Sequence, residues 1–257
     1  MLSRICGARE RPGMSKNVRP GQLVFKMLTK DKIEEAMKVL GQTMKQECLA
    51  VGLGLLEDPG APEEMELLFR EIVKDGATII AVDKETDELA AVAFNKIHAR
   101  PKEGEKDEMD RFIEEKFQHQ SCRELVNLIG GIETSVDIFD KYHVKGAMEL
   151  FYLGTNPRYQ GRGIGSQMME KCIEFGRGLL NGTRTRISIE GATLDGQVVP
   201  EVIFGVFASN YSQRIAEKLG LVTLYEMRYQ DHQFAGKKLS ERIGDVHKTA
   251  KLQALKF

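Results

Sequence analysis

The chain has 257 residues, which is enough for one sizeable domain. Its charged fraction of 29%, apolar fraction of 42% and formal net charge of −1 are typical of a soluble globular protein, and they indicate no general affinity for nucleic acid or an anionic membrane. No apolar run approaches the roughly 18 residues needed to span a bilayer. The four cysteines lack the spacing of a disulfide framework or a metal site, so we expect reduced thiols, a cytoplasmic protein and no metal.

The N-terminal part predicts a tail, a strand and two helices. Residues 1–22 are rich in Arg, Gly and Pro and poor in apolar residues, which predicts a disordered tail before a single domain that runs to residue 257. Leu23–Met27 predicts a strand, and Thr29 begins a helix with apolar residues at helical spacing. Pro62 suits the first turn of a second helix, which ends near Gly76.

The next part predicts a hairpin and two further helices. Two β-rich runs, Thr78–Val82 and Leu89–Ile97, are joined by a polar turn and predict the hairpin. Residues 99–125 are very polar and contain a predicted helix from about Asp107 to Gln118, and another helix falls within residues 121–143.

A glycine-rich loop between a predicted strand and a predicted helix is the most informative motif. Gly161, Gly163 and Gly165 let the backbone approach a ligand closely, and the helix start presents free N–H groups and a partial positive charge. The loop therefore predicts an anion site for a phosphorylated cofactor. A Walker A loop would need a lysine, and a dinucleotide fingerprint would need glycine in place of Ser166, so both alternatives are weaker. From these residues alone, a strand-to-helix turn without a ligand stays open.

The last part predicts two strand candidates, a helix from about Asn210 and a final strand near Leu224–Tyr229. The basic residues beyond residue 236 predict a solvated C-terminal end. Residues 183–201 carry Gly and Pro between β-rich runs and predict a hairpin extension near the mouth of an acceptor pocket. A hairpin followed by alternating strands and helices predicts an α/β fold, with a mixed central sheet and helices on both faces.

Two motifs carry a resemblance to a known family. The stretch QGRGIG at 160–165, approached by PRY at 157–159, resembles the Q/R-x-x-G-x-G/A signature of the GNAT superfamily of acyl-CoA-dependent N-acetyltransferases. The stretch SNYS at 209–212, followed by EKLG at 217–220, is similar to the insect arylalkylamine N-acetyltransferases. The resemblance covers roughly residues 23–235 and implies a GNAT fold, in which two central strands splay apart.

The resemblance implies acetyl-CoA as co-substrate. In the family, N–H donors for the thioester carbonyl come from the strand before the loop, and Gly154 would allow the distortion that splaying demands. Ser209 and Asn210 are also expected to cap the helix that follows them. The expected cofactor-binding residues are Leu153, Gly154, Thr155, Gln160, Gly161, Arg162, Gly163, Ile164, Gly165, Ser166, Ser209 and Asn210.

Glu47 is the candidate base, because an amine with a pKa of about 10 must lose a proton before it attacks a thioester. The apolar stripe that runs from Ile33 to Met44 continues by helical spacing to this carboxylate, and burial raises a carboxyl pKa. The resemblance agrees, since QECL at 46–49 matches two of four residues of an Asp-Glu-Pro-Leu motif that carries the base in the insect enzymes. The alternative is a frayed helix end with Glu47 in solvent.

Ser212 is the second expected catalytic residue, because it aligns with a family serine that contacts the thioester end. Ala208 stands where the insect family has another serine, and Ala216 stands where many GNAT enzymes have a tyrosine acid. The general acid is therefore undetermined. His98 and His143 stay as alternatives for a proton relay.

The sequence thus predicts a monomeric enzyme that transfers acetyl directly from acetyl-CoA to a small primary amine in a ternary complex. By resemblance the leading acceptors are arylalkylamines such as dopamine, serotonin or tyramine. Polyamines or agmatine-like amines are the alternative acceptors, and a catalytically silent acyl-CoA-binding module is the alternative from another class. No nucleic acid, membrane or metal partner is expected.

Overall fold

The computed structural model describes residues 22–100, 108–194 and 198–257. The predicted tail, apart from residue 22, therefore lies outside the described residues, as does the predicted helix start at Asp107. The described helices are α1 Ile33–Met44, α2 Cys48–Gly52, α3 Ala61–Ile72, α4 Glu108–Lys116, α5 Gln120–Glu133, α6 Ile138–Tyr142, α7 Ile164–Leu180, α8 Asn210–Lys218 and α9 Leu239–Ile243. The described strands are β1 Leu23–Met27, β2 Ile79–Asp83, β3 Leu89–Ala99, β4 Gly146–Thr155, β5 Val202–Phe207, β6 Val222–Arg228, β7 Gln233–Phe234, β8 Lys237–Lys238 and β9 Thr249–Lys256.

Seven of the strands form one mixed sheet, in the order β1-β2-β3-β4-β5-β9-β6. Neighbouring strands are antiparallel except β4 and β5, which are parallel. The predicted hairpin is confirmed as β2 and β3. The predicted mixed α/β sheet is confirmed as well, and β7 pairs with β8 in a separate ribbon.

Both faces of the sheet carry a hydrophobic core because strand residues alternate between them. Val92 and Phe94 belong to the core that α1, α3 and α5 cover, whereas Ala91 and Ala93 belong to the core under α7 and α8. The small alanines on the second face leave room for the long helix α7, which packs Met168 and its neighbours against them. The amphipathic pattern of the helices thus fixes a helix–sheet–helix arrangement.

The parallel strands β4 and β5 separate after a short pairing. Only Ala147–Glu149 pair with Val202–Phe204, although both strands continue. On its other edge β4 slips by one residue against β3, and Phe151 forms the bulge. A gap therefore opens between β4 and β5 on the side towards the glycine loop, as the predicted splay requires.

Gly154 has a different role from the predicted one. The register slip lies at Phe151, and Gly154 instead allows α1 to approach the sheet. A Cβ at position 154 would lie 2.6 Å from Thr43 Oγ1, a separation that real Cβ atoms do not show. Close packing of a helix against the strand, rather than strand distortion, is the reason for glycine here.

The start of α1 and the segment 183–201 also differ from the predictions. Thr29 precedes a single 3-10 turn at Lys30–Lys32, and the α-helix itself begins at Ile33. The predicted hairpin in 183–201 is reduced, among the described residues, to a short antiparallel turn: Ile187 bridges Thr193, and the N–H groups of Ser188 and Leu194 donate to Ala192 O at 2.8 Å and Arg186 O at 3.0 Å. An ion pair between Arg186 and Asp75 also holds this segment to the turn after α3.

The C-terminal end is the largest correction. Instead of a solvated end, β9 lies between β5 and β6 inside the sheet, and Leu252 and Ala254 are fully buried. Of its basic side chains, Lys251 forms ion pairs with Glu217 of α8 and Glu226 of β6. Apolar and polar residues alternate along part of β9, which is typical of a strand. The prediction of a solvated end followed instead from the many basic residues in this part of the sequence.

We predict that Leu252→Ala lowers the free energy of unfolding by about 2–5 kcal/mol, because it leaves a cavity in the middle of the sheet. Leu252 is 0% exposed. Val246→Ala is the control, because Val246 is 62% exposed and should change stability by about 0.5 kcal/mol or less. Urea unfolding measures both variants, and equal midpoints for the two would contradict the position of β9.

Candidate active site

The gap between β4 and β5 leads into a cavity of about 800 Å³. Residues from both faces of the sheet line it, among them Phe69 and Ile129 on the α3–α5 face and Gly163 and Ile215 on the α7–α8 face. The cavity therefore connects the two faces through the sheet. Such a passage lets two ligands meet from opposite sides.

The glycine loop forms one end of this cavity. Gly161 and Gly163 have φ values of +77° and +74°, a region that strongly favours glycine, and α7 begins directly after them. The first-turn residues Ile164 to Ser166 line the cavity. Their N–H groups have no partner within the helix and carry the positive end of its dipole, so they suit an anionic ligand.

Tyr159 links the loop to the β2–β3 hairpin through contacts of its hydroxyl group. Its ring is buried, and its hydroxyl donates to Asp83 Oδ2 at 3.2 Å and lies 3.3 Å from Thr86 Oγ1. Asn156 caps the turn before it, with Oδ1 accepting from the N–H of Arg158 at 3.1 Å. These local bonds position the loop before any ligand binds.

Arg162 and Asn210 are the two expected cofactor residues that do not line the cavity. The Arg162 guanidinium donates to Arg158 O at 3.1 Å and lies over the Tyr159 ring at 5.3 Å. The Asn210 side chain donates to Val246 O at 2.5 Å and so holds α8 to the C-terminal segment. The other ten expected cofactor residues line the cavity.

Ser209 and Ser212 form a reciprocal cap at the start of α8. Ser209 Oγ accepts from the Ser212 N–H at 3.1 Å, and Ser212 Oγ accepts from the Ser209 N–H at 3.3 Å. The cap is therefore Ser209, and the expected capping role of Asn210 is wrong. Both serines line the cavity, so they combine a structural role with access to a ligand.

Glu47 lies in the cavity wall for a reason other than the predicted one. α1 ends at Met44, and Glu47 is the N-cap of the next helix, α2. Its carboxylate accepts from the N–H of Leu49 at 3.0 Å and from the N–H of Ala50 at 2.6 Å. Burial raises the pKa of Glu47 above its usual value, against the opposing effect of the backbone N–H donors. The frayed end in solvent is thus not observed.

Three protonated groups lie close to Glu47. Tyr152 donates from its hydroxyl to Thr43 Oγ1 at 2.9 Å, and Tyr229 donates to Ala208 O at 2.5 Å. Burial, together with the charge of Glu47, raises the pKa of both tyrosines. Burial also raises the pKa of the Cys48 thiol to about 12, so at neutral pH this thiol is not a nucleophile.

Comparison with known proteins agrees with this geometry. The family model described as Acetyltransferase (GNAT) family matches residues 56–195, which is more than half of the chain. This chain belongs to the GNAT acetyltransferase family. Its α/β architecture with splayed central strands is therefore the GNAT fold.

Solved structures show the same fold at low sequence identity. Arylalkylamine N-acetyltransferase 2 of Aedes aegypti is 20% identical, with a TM-score of 0.69 over 91% of this chain and 98% of that one. A putative arylalkylamine N-acetyltransferase 7 of the same mosquito is 17% identical, with a TM-score of 0.70 over 91% and 87%. A polyamine N-acetyltransferase of Drosophila melanogaster is 18% identical, with a TM-score of 0.64 over 92% and 100%.

This GNAT chain also contains a buried carboxyl pair that the sequence did not indicate. Glu149 of β4 is 4% exposed, and its Oε2 lies 2.7 Å from His98 Nε2. Glu133, the last residue of α5, faces Glu149 across the cavity wall, and burial and that negative charge raise the pKa of Glu133 well above its usual range. The sequence feature that could have indicated this pair is a glutamate, Glu149, within the apolar run of β4.

Other predicted positions lie away from the cavity. Among the described residues of 183–201, none lines it, and the expected place of this segment near the acceptor mouth stays a prediction. Arg186 holds it to Asp75, with 2.7 Å between Nη2 and Oδ1. His143 ends α6 and does not line the cavity either, whereas His98 does.

In the described part of the chain, no helix is long and apolar enough to cross a membrane. Within the same residues, no group of three or more His, Cys, Asp or Glu side chains is placed to hold a metal ion.

We predict that Glu133→Gln stabilises the protein at about pH 7 and leaves its stability unchanged at about pH 4. The raised pKa means that the folded state keeps a proton that the unfolded state releases above its own pKa of about 4.3, so stability falls as pH rises through this window. Glutamine does not ionise, so the variant does not lose this stability as the pH rises. Thermal unfolding at both pH values tests it, with Glu124→Gln on the same helix as control, and an equal response of the two variants would contradict the buried carboxyl pair.

Proposed function

We propose that this protein transfers the acetyl group of acetyl-CoA directly to the nitrogen of a small primary amine. The observation that carries the proposal is one continuous cavity, with a glycine-rich helix start on one face of the sheet and the half-buried carboxylate of Glu47 on the other. A phosphorylated thioester suits the first end, and an amine suits the second.

The gap between the strands suits the acyl arm of the cofactor. Beyond Glu149, no strand among the described residues pairs with the edge of β4 that faces β5, so its N–H and C=O groups are available to a ligand. Leu153, Gly154 and Thr155 lie in this stretch and line the cavity. We assign their N–H groups to the thioester carbonyl, whose oxygen gains negative charge as the amine attacks.

Glu47 is the proposed base. It takes the proton from the ammonium nitrogen, whose lone pair then forms a bond to the thioester carbonyl carbon. The carbon–sulfur bond breaks, and the thiolate of CoA leaves with the electron pair. The nitrogen loses its second proton as the amide forms, and this proton converts the thiolate to the CoA thiol. The raised pKa of Glu47 brings it closer to that of the amine and so eases proton transfer.

Ser212 is the proposed contact for the leaving sulfur. Its hydroxyl donates to Ser209 O at 3.0 Å, so it would have to turn towards the cavity to stabilise a thiolate. Removing this hydroxyl also weakens the cap of α8, and the two roles are therefore linked.

An arylalkylamine is the proposed acceptor. Three rings of the cavity wall pack edge to face, with the Phe69 centroid 5.5 Å from Phe151 and 5.4 Å from Tyr152. Such a wall favours an aromatic body, because ring pairs add to the gain from burial alone. A polyamine or agmatine-like acceptor is the second candidate, since the carboxyl pair Glu133 and Glu149 could hold a second cation.

A catalytically silent acyl-CoA-binding module is the competing function. It would bind acetyl-CoA through the same loop and release no CoA thiol with any amine. An amine panel assayed by thiol release separates the two functions, because a transferase releases one thiol for each amide formed.

We predict that acetyl-CoA raises the melting temperature of the wild type, and that NADH or ATP does so far less, because a ligand of the folded state stabilises it. Gly163→Val should abolish this effect by placing a side chain in the anion site. Gly182→Val is the matched control, since Gly182 also has a φ of +74° and open space around it but does not line the cavity. A folded Gly163→Val protein with the full acetyl-CoA effect would refute the loop assignment.

We predict that Glu47→Gln lowers kcat by roughly 10²- to 10⁴-fold, the usual scale for loss of a general base. The affinity for acetyl-CoA should hardly change. In the wild type, kcat/KM should fall as pH drops through the raised pKa of Glu47, and this acidic limb should disappear in the variant. Asp137→Asn, which removes the charge from the N-cap of α6 outside the cavity, controls for loss of capping. Full activity with an unchanged pH profile would exclude Glu47 as the base.

A further inference from the structure

The face of α5 that lines the cavity lacks a side chain at Gly130. Val126, Ile129 and Glu133 line the cavity on the same helix, and Gly130 lies among them in the same wall. A Cβ at position 130 would have no atom of the described residues within 4 Å, apart from the backbone of its own helix. The surface of α5 at Gly130 is therefore open to the cavity.

Neither the backbone conformation nor the packing of the protein requires glycine at this position. Gly130 lies inside α5 and is not among the glycines with a positive φ. Gly176 of α7 shows the contrast, because a Cβ there would overlap with the Phe257 ring. A glycine inside a helix costs about 1 kcal/mol relative to alanine. Since the fold gains no contact from Gly130, this glycine is better explained by the space that it leaves.

This open surface belongs to the side of the cavity on which Glu47 lies. Met44 and Cys48, which flank Glu47, belong to the core that α5 covers. The rings of Phe69 and Phe151 pack against the same core and line the cavity. An amine whose nitrogen reaches Glu47 from this side has its body in the space that α5 and the two rings enclose.

We propose that Gly130 is a specificity-determining residue, which sets the upper limit on the width of the acceptor by leaving the wall of α5 bare. This inference rests on the proposed acetyl transfer and concerns the acceptor end of the same site. A side chain at position 130 would lean towards the preceding turn of the helix, over Val126. It would take the space of a wide amine and leave the space of a narrow one.

The test compares two amines that share an aminoethyl group and differ in the width of the body. Phenethylamine has one ring, and tryptamine has two fused rings. Gly130→Leu should lower kcat/KM for tryptamine roughly 10- to 100-fold more than for phenethylamine, which is the scale of a small misfit in an apolar pocket. Gly130→Ala adds a single carbon and should shift the ratio of the two kcat/KM values less, in the same direction. The rise in melting temperature with acetyl-CoA should stay as in the wild type, because the glycine loop lies on the other face of the sheet.

Gly131→Leu is the matched control. Gly131 is the next residue of α5, is exposed and does not line the cavity, and a Cβ there also has open space around it. Both leucine variants replace a helix glycine and stabilise the helix backbone alike, so only Gly130→Leu changes the space inside the cavity. Gly131→Leu should leave the ratio of kcat/KM for tryptamine and phenethylamine unchanged.

Different results would overturn the inference and the proposed function. An unchanged ratio in Gly130→Leu, whether both rates fall equally or neither falls, would refute the width limit and leave acetyl transfer intact. The same change of ratio in Gly131→Leu would show that the stiffness of α5, and not the space at Gly130, selects the acceptor. A wild-type enzyme that acetylates aliphatic amines and neither aromatic amine would also refute the inference alone. Tight acetyl-CoA binding without thiol release from any amine would refute the proposed function, and the inference with it.

Discussion

The rest of the site depends on the early separation of β4 from β5. Three residue pairs hold the two strands together, and beyond Glu149 the facing edge of β4 pairs with no strand in the part of the chain that the structure describes. If β4 and β5 paired along their full length, those N–H and C=O groups would form hydrogen bonds with β5, and no cavity would connect the two faces of the sheet. Because they do not pair, a ligand can supply the missing hydrogen bonds, and the cavity passes through the sheet. The register slip at Phe151 adds twist at the same point.

Two half-buried carboxyl groups of the cavity wall, Glu47 and Glu133, have raised pKa values for different reasons. Around Glu47, backbone N–H donors oppose the effect of burial, and the group can be ionised and accept a proton. Beside Glu133 lies a second carboxylate, which strengthens the effect of burial and keeps the proton on the pair. In our account the first group removes a proton from the amine, whereas the second shares its proton with Glu149.

Local patterns in the sequence predicted the hairpin, the glycine loop and the cap at Ser209, because each depends on neighbouring residues. Positions set by distant contacts were not predictable in this way. The place of β9 inside the sheet and the bond from Asn210 to Val246 both depend on how the C-terminal segment returns to the sheet. The pairing of Glu133 with Glu149 likewise joins a helix and a strand that only the fold brings together. Glu47 was expected in the cavity wall on helical spacing, but the cap of a second helix is what places it there.

The most direct test of this account is a crystal structure of the protein with acetyl-CoA bound. We predict that the pyrophosphate lies against the N–H groups from Gly161 to Ser166, that the acyl arm passes between β4 and β5, and that the thioester carbonyl lies within hydrogen-bond distance of an N–H in Leu153–Thr155. The methyl side of the thioester should then face Glu47 across the cavity. Acetyl-CoA bound outside the gap, or β4 and β5 paired along their full length in the complex, would contradict it.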